Sequence, residues 1–430
     1  MKIELKYGRK GLLVDLADDL DVTVIRKPSM PVIEDSAAAV ARALDAPVGT
    51  LPLRALAETA TSATIAVCDI TRPVPNGVFL RPMIEQLIGG GISTDAITVI
   101  IATGLHRPNL GAELEELIGD SWVLKQVNVV NHDARDDDAH VFVGKTKTRG
   151  SVIRLDRRFV DADLRIVTGL VEPHFMAGYS GGRKVIAPGL AHAETITTFH
   201  NARFMGDPLA TSCNLRGNPL HEEQIELVGM LGGALALNTV IDENRNLSFI
   251  NFGEVLESHT EAVRFAGQYC QVVVPRKFQT VLTSSAGYPL DKTYYQTVKG
   301  MVVAMDILAP GGDLIVASEI SEGMGSNEFV AAQQRLLSMG RDTFLEALCR
   351  QDHAEVDEWQ TQMQLKPMAI GNVHLFSGGL DPANYPLTGV QVIDSIEDAI
   401  DNSVRRSGDK AVAVIPEGPY VVPVHHSSAA

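Results

Sequence analysis

The chain has 430 residues, beyond the size at which one hydrophobic core keeps growing, so its length predicts two domains. A formal net charge of −16 argues against a nucleic-acid partner, which would need a basic face, although a local cluster of Arg and Lys can still receive an anionic substrate. No apolar run approaches the roughly 20 residues of a membrane span, and the opening MKIELKYGRKGLLVDL lacks a signal peptide's apolar core; a cytoplasmic protein with no membrane partner is expected.

That opening alternates charged and apolar residues as a first strand does. Short β-rich apolar runs then read as buried parallel strands: TIAVC at 64–68, ITVIIA at 97–102, LRIVT at 164–168, TVLTS at 280–284, DLIVA at 313–317 and VHLF at 373–376. Helical patterns such as 81–88 and 111–117 separate many of them. Alternation of this kind predicts an α/β fold of two domains, with mainly parallel sheets flanked by helices. In such folds functional residues gather at the carboxyl ends of strands. DITRP (69–73), TGLHRPN (103–109) and GLVEPH (169–174) all stand at such ends.

The boundary is placed near 268–277, giving an N-terminal domain over 1–270 and a C-terminal α/β domain over 271–404, with the active site in the cleft between them. The strand-like AVAVIPEGPYVVP at 411–423 is expected to return the stretch 405–430 to the first domain. Residues 424–430 read as a frayed tail, with His425 and His426 at the surface. Cys68, Cys213, Cys270 and Cys349 stand far apart with no CxxC or zinc-finger spacing, so reduced thiols are expected.

Asp69 and Arg72 cap the TIAVC strand. An arginine there can grip a carboxylate in two-pronged fashion, or can simply pair with Asp69. His106 stands at the next strand end. His132 lies in VVNHDARDDD, which reads as a solvated acidic loop. The most unusual stretch is EPHFMAGYSGGRKVIAPG, the start of the region 172–200. Gly178, Gly181 and Gly182 permit left-handed backbone, and the Ser180–Gly182 loop serves either as a structural turn or as an anion site. It is neither a Walker A loop nor a GxGxxG fingerprint. Lys184 precedes an apolar VIAPG. An amine drawn into apolar surroundings becomes nucleophilic, the alternative being a surface lysine. His174 and His200 flank this loop and can exchange protons or bind a metal, whereas His192 is assigned a packing or surface role. No HExxH or facial-triad spacing occurs. In AGYPLDKTYYQTVKGM, a helix would put Tyr295 and Lys299 on one face, with Gln296 beside them, as a polar jaw closing from the second domain.

Taken together and in this order, DITRP, TGLHRPN, EPHFMAGYSGGRKVIAPG with TTFHNAR, GYPLDKTYYQTVKGM and Trp359-Gln360 resemble the family of the nickel-pincer-nucleotide-dependent lactate racemase. The resemblance covers nearly the whole chain. It implies a thio-substituted pyridinium mononucleotide joined to Lys184, with nickel held by the nucleotide and by His200. His106 and His174 would be acid and base on opposite faces of the substrate, and Arg72, Tyr295, Gln296 and Lys299 would hold it. Asp69, Ser180, Gly181 and Gly182 would lie near the cofactor. The implied reaction inverts C2 of a 2-hydroxy acid, lactate or another short-chain acid. A histidine takes the hydroxyl proton as hydride leaves C2, and a planar 2-keto acid is reduced from the other face. Larger acids (malate, phenyllactate, gluconate-like) are the alternative substrates. From other classes come a nicotinamide-dependent dehydrogenase and a non-catalytic carboxylate binder. Separate maturation enzymes would build the cofactor, which heterologously made protein can therefore lack.

Overall fold

The computed structural model describes residues 1–425; His426 and the rest of the expected frayed tail lie outside the described residues. In chain order the first strands are β1 (Lys2–Leu5), β2 (Leu12–Asp15), β3 (Asp21–Val24), β4 (Ala63–Cys68), β5 (Ile97–Ala102), β6 (Asn128–Asn131), β7 (His140–Lys145), β8 (Val152–Asp156), β9 (Leu164–Leu170), β10 (Pro173–His174) and β11 (Gly178–Tyr179). They are followed by β12 (Leu235–Ile241), β13 (Leu247–Glu254), β14 (Gln271–Val274), β15 (Phe278–Ser284), β16 (Leu308–Ala317), β17 (Asn372–Phe376), β18 (Gln391–Ile393), β19 (Ala411–Ile415) and β20 (Val422–His425).

Two six-stranded sheets carry the architecture. The first runs β13-β12-β9-β4-β5-β6 and is parallel except for its β12–β13 edge pair. The second runs β18-β17-β16-β15-β19-β3 and is parallel throughout. Central strands such as ATIAVC and ITVIIA are apolar on both faces because helices cover both sides of the sheet. All six expected runs are strands. The mixed α/β class with mainly parallel sheets is therefore observed.

One apolar cluster runs without a break from Ala66, Ile100 and Val167 of the first sheet, through Phe199 and Met205, to Val281, Leu314 and Val316 of the second. A further cluster packs Phe79, Leu80 and Ile84 of the helix Asn76–Gly89 onto the first sheet. Each such side chain, fully buried, contributes about 1.5–3 kcal/mol. The two bodies thus adhere by shared apolar burial as well as by chain connection.

The two chain ends require a correction. β19 pairs in parallel with β15, and its Val412 and Val414 pack with Leu282 and Ile315. The stretch expected to rejoin the first domain therefore belongs to the second sheet. The segment that crosses over is the amino-terminal one: β3 pairs with β19, and Ile3, Leu5 and Val14 of the β1–β2 hairpin join the same cluster. Apolar strands of this kind have interchangeable patterns, and the choice of parallel neighbour is decided by tertiary packing. β20, which contains His425, pairs with β14.

Two local readings also change. Asp133, Asp136, Asp137 and Asp138 are exposed as expected, but His132 is buried, with Nδ1 against Asp156 at 3.1 Å and Nε2 against the Ala191 carbonyl at 3.1 Å. The His140 ring stands edge-on to both His132 and His192, 5.0 Å from each. His192 caps the helix Ala193–Phe199, its Nδ1 accepting from the Glu194 N–H. The four thiols are free, yet the fold brings the Cys213 and Cys270 sulfurs to 3.8 Å. No helix among the described residues is long and apolar enough to cross a membrane.

Candidate active site

Strands β5, β4 and β9 are neighbours, and the register sets Cys68 beside Ala102 and Ala66 beside Val167. Their carboxyl ends consequently deliver DITRP, TGLHRPN and GLVEPH to one edge of the sheet. Facing that edge is the helix Tyr294–Val303, capped by Thr293, whose hydroxyl accepts from the Gln296 N–H at 3.4 Å. Between them lies a cleft of about 170 Å³. It brings together Asp69, Arg72, His106, His174, Ser180, Gly181, Lys184, His200, Tyr295, Gln296 and Lys299. Gly182 lies behind the wall.

The glycines are needed for the turn itself. Gly181 and Gly182 have φ of +74° and +49°. A Cβ on Gly182 would stand 2.7 Å from the His259 ring, and one on Gly181 2.8 Å from Val171. Ser180 donates its hydroxyl to the Leu170 carbonyl at 2.7 Å and accepts the Glu172 N–H at 3.1 Å, which fixes the loop to the end of β9. This tight turn sets Lys184 against the cleft. Burial, reinforced by the nearby Arg72 charge, brings its ammonium down to about 7.

The two histidines expected to act as acid and base sit in opposite environments. His106, half exposed to the cleft, has Nδ1 2.6 Å from Asp69 Oδ2, and Asp69 also accepts from the Thr71 hydroxyl at 2.6 Å. Burial disfavours the charged ring, but the charge and hydrogen bond of Asp69 outweigh it, so the histidine titrates above its ordinary range. The same pair holds Asp69 below the ordinary carboxylate range despite its burial. His174, on the β10–β11 hairpin, is pushed well below 6.5 by burial and then by Lys184, Arg72 and Lys299. Its Nδ1 accepts the N–H groups of Ala177 at 3.1 Å and Met176 at 3.3 Å, so its proton exchange falls to Nε2.

His200 ends the helix Ala193–Phe199. Its Nδ1 donates to the Ile196 carbonyl at 2.8 Å, and its ring packs 4.6 Å from Trp359. Burial lowers its titration to about 4, leaving a neutral ring with Nε2 available as a ligand. Among the described residues no group of three or more His, Cys, Asp or Glu gathers as a metal site of protein groups alone. From the second body, Trp359 Nε1 donates to the Tyr295 hydroxyl at 3.1 Å and the Gln360 amide donates to the Tyr295 carbonyl at 2.6 Å. Lys299 is driven well below its ordinary range by burial and by the Arg72 and Lys184 charges.

Two acidic residues were not singled out in the sequence. Arg72 pairs with Glu172 rather than with Asp69. Asp357 lines the cleft with left-handed backbone (φ +65°), accepts from the Ser326 hydroxyl at 2.5 Å, and is raised in pKa by burial. A non-glycine residue with such a φ draws notice only once dihedrals are known.

The family model described as lactate racemase N-terminal domain matches residues 7–212, and that of the lactate racemase C-terminal domain matches 273–423. Lactate racemase of Thermoanaerobacterium thermosaccharolyticum is 30% identical across 98% of both chains. That of Lactiplantibacillus plantarum is 29% identical across 89% of this chain and 90% of its own. Among solved structures, the lactate racemase apoprotein of T. thermosaccharolyticum superposes with a TM-score of 0.88 at 28% identity, covering 98% of this chain and 100% of that one. A Thermotoga maritima protein of 18% identity shares the fold, with a TM-score of 0.67.

Proposed function

The chain belongs to the lactate racemase family, and we propose that it is an isomerase inverting C2 of lactate or another short-chain 2-hydroxy acid. The observation that carries this reading is the convergence of His106 and His174, two histidines pushed in opposite directions by their surroundings, on one cleft with Arg72 and Lys299. Phe175 and Met176 also line the cleft and favour a short alkyl substituent.

A lysine-anchored nickel-pincer nucleotide fits the residues present. Lys184 offers an amine that is nucleophilic near neutrality, and His200 keeps Nε2 free for a metal. Such a group, when bound, supplies a hydride acceptor and donor. Ser180 and Gly181 would flank it, with Asp69 nearby. The protein's own part is positioning and proton exchange. His106, held by Asp69, and His174, held by two backbone N–H groups, each exchange a proton at Nε2 with the substrate oxygen. Arg72 and Lys299 retain the carboxylate, and the Tyr295–Gln296 end of the facing helix closes over the keto acid between half-reactions. Separate maturation enzymes and a cytoplasmic setting complete the proposal.

The test incubates single lactate enantiomers with cofactor-loaded protein and follows them by chiral chromatography, alongside mass spectrometry of the Lys184 peptide. Inversion without added NAD, and an adduct absent from Lys184→Ala, are expected. Inversion of malate, phenyllactate or gluconate with lactate untouched would overturn the substrate. Full activity with unmodified Lys184 would overturn the anchor, and substrate-dependent NAD reduction would point to a dehydrogenase.

A further inference from the structure

We infer that Glu172 is a specificity-determining residue: by neutralising Arg72 at the cleft wall, it matches the site to a 2-hydroxy acid carrying one carboxylate and turns away an acid carrying two. The inference rests on the reading of the cleft as a 2-hydroxy acid site.

Arg72 donates through Nη1 to Glu172 Oε1, while its other N–H groups have no protein partner among the described residues. One edge of the guanidinium is therefore occupied and the other is free to meet a carboxylate. Glu172 cannot easily be drawn aside. Its N–H donates to the Ser180 hydroxyl at 3.1 Å and its carbonyl accepts the Ser180 N–H at 3.0 Å, so it is pinned to the same loop that sets Lys184. Its side chain is 11% exposed and lies behind Arg72, lining a small pocket shared with Arg72, His174, Lys299 and Tyr420 and, beyond it, a second cavity of about 460 Å³.

A count of the charges around the cleft then limits the ligand. Asp69 is matched by His106, and Arg72 by Glu172. Lys184 serves as the anchor. What remains for an incoming acid is the free edge of Arg72 and the Lys299 amine, enough for one carboxylate. A second carboxylate would find no further cation and would approach Glu172, Asp69 or Asp357. Glutamine at 172 keeps the shape and an acceptor oxygen but removes the charge.

The experiment compares malate with its β-monoamide, an isosteric acid with one fewer charge, by calorimetric titration of cofactor-loaded protein, in which Lys184 is occupied as the count requires, and follows both in the chiral assay. Native protein is expected to bind the monoamide at least tenfold more tightly than malate. Glu172→Gln narrows that gap to within threefold, and Glu172→Asp, which keeps the charge, preserves the native preference. Equal binding of malate and monoamide by native protein would overturn the inference, a comparison that needs no variant to fold. So would an undiminished gap in a Glu172→Gln protein whose circular dichroism is native. If loaded enzyme inverts no 2-hydroxy acid while the binding gap behaves as expected, the catalytic reading fails and the charge matching stands.

Discussion

Replacing Asp69 with asparagine removes the charge that holds His106 protonated while leaving an amide of the same size in place. The native contact is a 2.6 Å hydrogen bond between His106 Nδ1 and Asp69 Oδ2. A hydrogen bond to a charged group is worth about 1.5–3 kcal/mol. The His106 side chain is 50% exposed, so solvent screens part of that, and about 1–1.5 kcal/mol is the fair expectation. At 1.36 kcal/mol per pKa unit, the titration midpoint of His106 should fall by about one unit. The direction is downward because, with the Asp69 charge gone, burial and the Lys299 charge oppose the charged ring and only the Asp357 charge still favours it. Stability should follow the same logic. The raised His106 contributes stability that is full below 6.5 and lost as pH rises through its folded midpoint; the lowered Asp69 contributes stability lost as pH falls through its own. Asp69→Asn should therefore cost most in mildly acidic buffer and less on the alkaline side. The assay is the pH dependence of the His106 ring signal in cofactor-free protein, assigned with His106→Asn. A midpoint in Asp69→Asn equal to or above the native one would refute the reasoning.

Acylation of Lys184 in cofactor-free protein should reach half its plateau rate near pH 7, measured peptide by peptide in the mass spectrometer; a rate that climbs only above pH 9 would contradict the burial argument. The edge-on pair His140 and His192 are both lowered by burial, so the stability they contribute is present above 6.5 and lost as pH falls below it. Thermal melts should show that acid-side loss, and His140→Phe should flatten it. Oxidation with diamide should join Cys213 to Cys270, whose sulfurs are 3.8 Å apart, with a loss of two hydrogens in mass. For a closed loop of 57 residues the chain-entropy contribution is about 4 kcal/mol, and a melt unchanged by the crosslink would count against native geometry for the bond.

Much of the site was legible because parallel strands concentrate their following loops at one edge. Once TIAVC, ITVIIA and LRIVT are recognised as strands, Arg72, His106 and His174 fall at the same end of the sheet. Helical spacing likewise sufficed for Tyr295 and Lys299. Pairings between distant side chains were less accessible. Arg72 had a carboxylate three residues away and chose another a hundred residues on, since the short DITRP turn aims Asp69 at His106. His132 had Asp133 beside it in sequence, but alternation along β6 and its exit turns the ring inward to Asp156. Neighbour order within the second sheet was hidden for a similar reason: AVAVI suits any central parallel position.

The pairing of β3 with β19 has a consequence for synthesis of the chain. Asp21 is bonded in register to Ala411, almost the full 430 residues away. At ribosomal rates of 5–20 residues per second, the emerging hairpin and β3 wait roughly 20–80 s for their partner. During that interval the first sheet can assemble from residues 63–254, while Ile3, Leu5 and Val14 stay without the surface they later cover. The strand β3 thus cannot be seated before β19 emerges, and deleting the amino-terminal segment should yield a nascent second body with an open sheet edge at β19, prone to pair with another copy.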